Sequence, residues 1–382
     1  MSQIIGIYGI TDRFDHPYPA YVHDHNVTLM EDGMIKGYVH LERHSRRKYD
    51  NRLGQYIEEL LLEGTWDVQP DAQWVFVNTF VGNDFQSRGG RLRFELQAKP
   101  QIHVEGQRGW GWWQYAAWEG REINAYMLSH ELAHIGACLP FYGAFKDNSL
   151  LVHFDGGASQ SNFSAFLYRE GEVNPLAHHW ELSHLSKFYN DHALTFRILK
   201  SSPGMHTSVP GKLMGYAALG NYRPELVPWL VAHDYFRMIW KNEAYFYRAA
   251  EKQWGWQGSL DDQHDPFLLD VAATLQEIFI QGILQTLQQL QEIHQADFLY
   301  YSGGCALNIL ANQRILDRGL FQEVFIPPCC SDSGLSLGAV AWMSWQQGRA
   351  VAKHSPYLNE WLPIERVDYT PEDIQSVGKL LV

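Results

Sequence analysis

The segment Ser129-His130-Glu131-Leu132-Ala133-His134 places two imidazoles four residues apart. On a helix, residues i and i+4 are stacked neighbours, so both rings leave the same face. Two nitrogens converging in this way are two ligands of a metal, and a third must come from elsewhere in the chain. The letters His-Glu-Leu-Ala-His also satisfy the zinc-protease expression, in which Glu131 would activate water. The plain alternative is a pair of packed or exposed histidines, because the chain holds 18 of them and an i,i+4 pair arises readily by chance.

Three glycine-containing segments could bring backbone N–H groups to an anion: Asp155-Gly156-Gly157, Ser302-Gly303-Gly304-Cys305-Ala306-Leu307-Asn308, and Asp332-Ser333-Gly334-Leu335-Ser336-Leu337-Gly338-Ala339. Glycine removes the Cβ and lets the chain approach a ligand. The second segment follows a strand pattern and precedes helical residues, which aims its amides outward at a helix start. The third sets a carboxylate beside a glycine at a predicted helix N-terminus. None has the spacing of a Walker A loop or a dinucleotide fingerprint.

These residues need elements to hold them. Ile4 to Tyr8 reads as a strand. Val27 to Met30 and Met34 to His40 read as a hairpin turning at Glu31-Asp32-Gly33. Residues 51 to 64 carry Leu53, Tyr56, Ile57, Leu60 and Leu61 at helical spacing. Trp74 to Phe80 is a strand pattern. Residues 106 to 120, with five aromatics among glycines, read as a loop. Their tryptophans predict either packing between two lobes or a platform for a ring-shaped acceptor. Glu122 to Leu139 reads as a helix ended by Pro140. A second unit opens as the first does, with Leu150 to Phe154, a turn at Asp155-Gly156-Gly157 and a return over Phe163 to Tyr168. Pro266 to Ile293 is a long helical pattern with proline in its first turn. Phe298 to Tyr301 is a strand, and Asp332 to Trp345 is helical. The repeated opening suggests a duplicated α/β architecture.

Composition bounds the function class. The 382 residues include 46% hydrophobic ones, which supports a folded core and excludes general disorder. The formal net charge of −13 makes the chain a poor nucleic-acid partner, since phosphates demand a basic face. Cys138, Cys305, Cys329 and Cys330 include an adjacent pair awkward for a structural disulfide, which predicts reduced thiols. The N-terminus lacks the pattern of a secretory signal, and no uninterrupted apolar run reaches the length of a bilayer span. A soluble, cytoplasmic protein without membrane attachment is expected.

Taken in order, the segments resemble the O-carbamoyltransferases of the NodU and antibiotic-biosynthesis type. His23-Asp24-His25-Asn26, Asp32-Gly33 and Glu42-Arg43-His44-Ser45-Arg46-Arg47-Lys48-Tyr49-Asp50 are similar to that family's opening. His130 and His134 followed by Phe141-Tyr142 resemble its metal helix, and Phe154-Asp155-Gly156-Gly157 its phosphate hairpin. Gly211-Lys212-Leu213-Met214-Gly215-Tyr216-Ala217 is similar to its Lys-x-Met-Gly-x-Ala segment. Asp270 with Gln276-Glu277, then Ser302 to Asn308, and Pro327-Pro328 through Asp332-Ser333-Gly334 with Leu337-Gly338-Ala339, complete the series. The likeness runs from about residue 4 to residue 345.

The resemblance implies an α/β fold of the actin/Hsp70/sugar-kinase type, with two RNase-H-like lobes and a nucleotide cleft. It divides the chain into a lobe over 1–149, a lobe over 150–352 and a tail or linker over 353–382. It implies a divalent metal, iron(II), on His130, His134 and Asp332. It implies ATP or carbamoyl-adenylate against Asp155, Gly156, Gly157, Lys212, Gly303, Gly304 and Asn308. His23 with Asp24 becomes the candidate base, and Arg46 and Lys48 line the same cleft. The implied reaction is metal-assisted carbamoyl transfer to the hydroxyl of a small-molecule acceptor. The zinc-protease role of Glu131 then has no place.

His25-Asn26 departs from the small residues usual after His-Asp. His25 competes with His23 as base or is a polar surface residue. The Gly-Pro-Arg-Ala-Leu-Gly motif of the family's C-terminal, YrdC-like domain does not occur, which leaves three readings: a shortened piece of a longer chain, a protein with a separate YrdC-like domain or subunit as partner, or a homologue that has lost the activity; the retained metal and phosphate residues favour the first two. The alternatives are threonylcarbamoyl transfer to tRNA and a nucleotide-binding regulator without turnover.

Overall fold

The structure is a computed structural model. It describes residues 2–10, 22–62, 66–79, 85–98, 110–179, 185–194, 196–200, 208–232 and 243–356. Predictions falling on residue 80, residues 63–64 and 106–109, and all but the start of the 353–382 tail lie outside these.

Two sheets carry the fold. The first runs through β1 (Gln3–Tyr8), β2 (Asn26–Glu31), β3 (Met34–His40), β4 (Gln73–Val77), β5 (Phe85–Gln86), β6 (Leu92–Ala98), β7 (Trp110–Trp118), β8 (Arg121–Glu122) and β9 (Asn124–Leu128). Its path is β3-β2-β1-β4-β9-β7-β6-β5, with β8 paired to β7. The second contains β10 (Ser149–Phe154), β11 (Phe163–Arg169), β12 (Glu172–His179), β13 (Phe298–Ser302) and β14 (Glu323–Phe325), in the order β12-β11-β10-β13-β14. The leading five strands of the first sheet and the whole second sheet share one plan. Three antiparallel strands are followed by two that run parallel to the first of them. The duplicated opening read from the sequence is thus a duplicated five-strand topology.

Alternation along the strands decides which helices they meet. On β1, Ile5 and Ile7 join the cluster around the helix Leu53–Leu62, while Ile4 and Tyr8 face the helix Leu335–Gln346. Gly6 shares that second face, and a Cβ there would lie 2.4 Å from the Ser336 carbonyl oxygen. Glycine is needed because helix backbone presses directly on the strand. On β10, Leu150, Val152 and Phe154 join the core of the long helix Pro266–His294. Leu151 and His153 take the opposite face, and that face meets the short helix His130–Gly136. The helices His130–Gly136 and Leu335–Gln346 therefore lie between the two sheets and pack on each other.

The long helix starts where Asp265 accepts from Leu268 N at 3.0 Å, with Pro266 in its first turn. Leu268, Val271, Ala272, Leu275, Phe279, Ile283 and Leu287 form its buried stripe. Among the described residues it is the one helix long and apolar enough to cross a membrane, and that stripe is covered by the protein's own core.

Three expectations are corrected. Residues 110–118 form a strand inside the first sheet, where Trp118 packs on Trp74 at 5.7 Å in the core beneath the helix Leu53–Leu62, not between lobes. The helix read over Glu122 to Leu139 is strand β9 followed by His130–Gly136, and Pro140 sits in the first turn of a further short helix, Leu139–Tyr142. The five residues of β9 run from exposed Asn124 to buried Leu128 without alternating, which removes the signal separating the strand from the helix that follows. Finally, packing does not divide at residue 352. Residues 332–354 return to the first sheet through Tyr38 on the Ser333 carbonyl at 2.5 Å, Thr28 on Ser336 at 2.7 Å and Ala352 N on the Gly33 carbonyl at 2.9 Å.

Candidate metal centre

The helix His130–Gly136 begins cleanly because Ser129 caps it, accepting from Leu132 N at 3.3 Å. This cap fixes His130 in the first turn and His134 one turn later, both buried. Their Nε2 atoms stand 3.0 Å apart. The carboxylate of Asp332, delivered by the turn before the helix Leu335–Gln346, completes a triangle. Its Oδ1 lies 3.4 Å from His130 Nε2 and 3.3 Å from His134 Nε2. Asp155, at the end of β10, brings Oδ2 within 3.5 Å of His134 Nε2.

These edges test whether the residues fit a metal. Donors sharing one ion with bonds of about 2.1 Å are separated by about 3.0 Å in octahedral and about 3.4 Å in tetrahedral geometry. The observed 3.0, 3.3 and 3.4 Å fall in that range. If one Nε2–H donates to the other Nε2, the accepting ring must carry its own proton on Nδ1, and both Nδ1 atoms are buried without a hydrogen-bond partner. The donor set of two nitrogens and carboxylate oxygen suits a divalent transition metal. The residues fit.

The surroundings hold Asp332 in place and charged. Tyr8 donates to its Oδ2 at 2.9 Å, and Asn26 Nδ2 donates to its carbonyl at 2.8 Å. Burial opposes its ionisation, but the charges and hydrogen bonds of His130 and His134 hold its carboxyl well below the usual range. Burial pulls the His130 imidazole down, and the Asp332 carboxylate more than offsets it, so its pKa is raised.

Beside this centre is a second polar array. Asp24, in a left-handed conformation (φ 57°), takes His23 Nδ1 on one oxygen at 2.9 Å and His40 Nε2 on the other at 3.0 Å. Burial raises Asp24, but these two hydrogen bonds win and lower it to about 2. Burial likewise lowers His23, and the Asp24 hydrogen bond with the charges of Asp332, Asp24 and Asp155 raises it to about 9. His23 Nδ1 is 4.0 Å from Asp332 Oδ2, so the two arrays adjoin.

The other predicted residues are dispersed in their roles. His25 is not a surface residue. It is buried, its Nδ1 accepts from Leu53 N at 3.3 Å, and burial lowers it to about 3, so it is a neutral structural ring. The Lys48 ammonium lies over the Tyr49 ring at 4.9 Å, and that ring packs edge-on against His23 at 5.6 Å. Arg46 is exposed at the left-handed end of the helix Leu41–Ser45. Gly304 N donates to Asp155 Oδ2, which ties the two glycine segments together. Gly303 needs its φ of 108°, since a Cβ would lie 2.2 Å from the Phe154 carbonyl oxygen. Gly156 and Gly157 face open space. Asn308 caps the helix Ile309–Arg318 and pairs reciprocally with Gln276 at 3.0 and 3.1 Å, so its side chain is engaged within the protein. Lys212 Nζ donates to the Leu199 carbonyl at 3.0 Å. Glu131 points away from the imidazole cluster's chemistry, accepting from Ser159 Oγ at 2.6 Å and from the amides of Gln160 and Ser161 at 2.6 and 3.0 Å.

Sequence reasoning missed Tyr8 and His40, and treated Asn26 only as a departure. Their signal is strand register. Tyr8 pairs with Asn26 across β1–β2, and Asn26 with His40 across β2–β3. Three neighbouring strand ends therefore deliver these side chains to one edge of the sheet. His153, on the inner face of β10, was also missed.

The chain is similar to several known proteins. Nodulation protein NolNO of Sinorhizobium fredii is 26% identical over 374 residues, covering 90% of this chain and 49% of that protein. The chain thus spans about half the length of that relative. A 3'-hydroxymethylcephem-O-carbamoyltransferase of Amycolatopsis lactamdurans is 46% identical over 48 residues, 13% of this chain and 9% of that one. Among solved structures, full-length HypF in its phosphate- and nucleotide-bound form matches with a TM-score of 0.47 and 12% identity, covering 92% of this chain and 56% of that one. Residues 121–341, more than half of the chain, match the family described as Carbamoyltransferase N-terminus, and the chain belongs to that family.

Proposed function

We propose that this chain transfers a carbamoyl group from carbamoyl-adenylate to the hydroxyl of a small-molecule acceptor, in a cleft between two RNase-H-like lobes of the actin type. The repeated five-strand order supports the two-lobe reading. The observation that carries the activity is the convergence of His130, His134 and Asp332, from opposite ends of the family match, onto one point.

His130, His134 and Asp332, with Asp155 alongside, would hold a divalent metal, for which we favour iron(II). When bound it supplies positive charge for the phosphate and for the oxyanion that develops on the carbamoyl group. The protein's own residues do the rest. Tyr8 and Asn26 fix the orientation of Asp332. The Asp155 turn and the amides around Gly303 and Gly304 border the nucleotide phosphates, and the open space above Gly156 and Gly157 leaves room for them. Asp24 fixes His23 with Nδ1 inward, leaving Nε2 to take the proton of the acceptor hydroxyl. Surrounded by uncompensated carboxylates His23 stays protonated at neutral pH, so its work as a base depends on the charge of Asp332 being neutralised. His40 holds the second oxygen of Asp24 and keeps that carboxylate from turning. Lys48, over the Tyr49 ring that packs on His23, would add positive charge on that side, with exposed Arg46 as a second candidate cation. Carbamoyl-adenylate would come from a YrdC-like domain or subunit.

The test supplies protein purified without air with carbamoyl phosphate, ATP, a YrdC-type activating protein and a panel of sugar and cephem alcohols. Mass spectrometry should find carbamoylated acceptor, with AMP released in step, and His134→Ala should abolish both. Failure of wild type to carbamoylate any acceptor while the donor accumulates would overturn the reading.

A further inference from the structure

An open depression of 560 Å3 lies where the turn between β5 and β6 crosses the start of the helix Leu53–Leu62. Asn51, Arg52, Gly54, Gln55, Gln86 and Arg88 line it. The chain as a whole carries a net charge of −13, yet two guanidiniums and three carboxamides border this hollow and no carboxylate does. The local excess of positive charge begins upstream, where residues 43–52 hold five Lys and Arg against the single Asp50.

The backbone around the hollow is fastened, and its polar side chains are left unspent. Arg52 Nε and Nη2 donate to the two oxygens of buried Asp50 at 2.8 and 2.6 Å, and the guanidinium lies over the Tyr56 ring at 5.5 Å. Arg88 N donates to the Gly54 carbonyl at 2.8 Å, while the Glu58 carboxylate accepts from Gly89 N at 3.0 Å and Arg91 N at 3.1 Å. Gly54 lets the turn come this close, since a Cβ there would lie 3.1 Å from the Gln86 carbonyl oxygen. Among the described residues, the side chains of Asn51, Gln55, Gln86 and Arg88 make no hydrogen bond or ion pair. The hollow also adjoins the proposed base. Asn51 is two residues beyond Tyr49, whose ring packs on His23, so at most about 7 Å of chain separates them. His25 ties the two regions together, donating from its N to the Asp50 carbonyl at 3.1 Å and accepting from Leu53 N at 3.3 Å.

We propose that this depression anchors the acceptor, and that the acceptor is an acidic, hydroxylated molecule. Its carboxylate, sulfate or phosphate group lies against Arg52 and Arg88, and its neighbouring hydroxyls meet Asn51, Gln55 and Gln86. This rests on the reading that an acceptor hydroxyl is presented to His23. Guanidinium groups match such oxyanions with paired N–H donors. Carboxamides both donate and accept, as hydroxyl groups require. The nucleotide phosphates are not the occupant, because Asp155, Gly303 and Gly304 belong to the second sheet and the hollow is built on the first.

Isothermal titration calorimetry of the whole chain with glucuronate, glucose 6-sulfate, glucose 6-phosphate and glucose, at about 0.15 M salt, reads binding without turnover. At least one charged sugar should bind at one equivalent and about 10-fold or more tightly than glucose, and the three charged probes separate the kinds of anion. Arg88→Gln should cut that preference by about 10-fold. Arg91→Gln, on the same turn but paired with Glu119 at 3.7 Å, should retain it, which separates a local site from general charge. Arg52→Gln would strip buried Asp50 of its partner, so Arg52→Lys is the second probe, and thermal unfolding verifies that each variant is folded. No charged sugar preferred over glucose, or an undiminished preference in folded Arg88→Gln and Arg52→Lys, overturns the proposal. Anion binding lost in Arg88→Gln, in a protein that carbamoylates no acceptor, would refute the proposed reaction and leave the anion site itself standing.

Discussion

Gly338→Ala is the sharpest test of how the metal triangle is held. The helices His130–Gly136 and Leu335–Gln346 cross at glycines. A Cβ on Gly338 would lie 1.8 Å from the Ala133 carbonyl oxygen and 2.7 Å from Ala137 N, and one on Gly136 would lie 2.3 Å from the Gly338 carbonyl oxygen. These are backbone obstacles, so no side-chain rotation relieves them. Relief to an ordinary contact requires the helices to part by roughly 1.5 Å, which is large beside the few tenths of an ångström that metal–ligand geometry tolerates. Ala133 lies between the two histidines, and Gly338 follows Asp332 within two turns. The parting therefore acts directly on the 3.3 and 3.4 Å edges. Alanine gains about 1 kcal/mol in helix propensity over glycine. Overpacking costs about 1–3 kcal/mol, and a backbone clash belongs at the upper end. A net loss of about 2 kcal/mol is expected. A displacement near 1 Å also predicts transfer activity down by about 100-fold, with Co2+ affinity reduced. Urea unfolding and chelator competition measure stability and affinity. Gly215→Ala, at a helical glycine facing open space, is the control and should be neutral or stabilising. A Gly338→Ala protein with wild-type unfolding midpoint and wild-type metal affinity would refute the reasoning.

Other expectations follow from the same geometry. Tyr8→Phe removes the hydrogen bond to Asp332 with little change of volume, and chelator competition should show metal affinity lower by about 10–100-fold with the fold intact. Glu131→Gln should destabilise the protein by about 1–3 kcal/mol, because three donors from residues 159–161 lose an ionised acceptor, while cobalt stoichiometry stays as in wild type. Unchanged stability with lost activity would instead place Glu131 in the chemistry. Burial raises Asp191 to about 6, so its carboxyl holds a proton in the folded state more tightly than in the unfolded one. Its contribution to stability is complete below the ordinary carboxylate range and is lost as pH rises through about 6. Asp191→Asn should therefore stabilise the protein at pH 7.5 by about 1–2 kcal/mol, after allowance for partial solvent screening, and the gain should shrink toward pH 4. A pH-independent difference in denaturation midpoints would contradict this.

What the sequence determined by itself is what depends on neighbours along the chain. A four-residue spacing within residues read as helical suffices to put two imidazoles on one helical face. Turn residues at Asp32-Gly33, both in left-handed conformations, close the first hairpin. The apolar stripe after Pro266 defines the long helix. Strand β9 reads as part of the helix that follows it because its burial rises steadily from Asn124 to Leu128 instead of alternating. The family resemblance named Asp332 as the third ligand, and the tertiary structure shows how the chain brings it within 3.3–3.4 Å of the histidines. Asp332 reaches them because the helix that follows it turns back across the first sheet, and glycines at 6, 136 and 338 allow backbones to touch. The tertiary structure alone decided that Tyr8, Asn26 and His40 end side by side, that His25 is interior, and that His153 joins the imidazole cluster. Those arrangements are set by strand register and helix approach, and both arise from contacts between distant segments that no local spacing encodes.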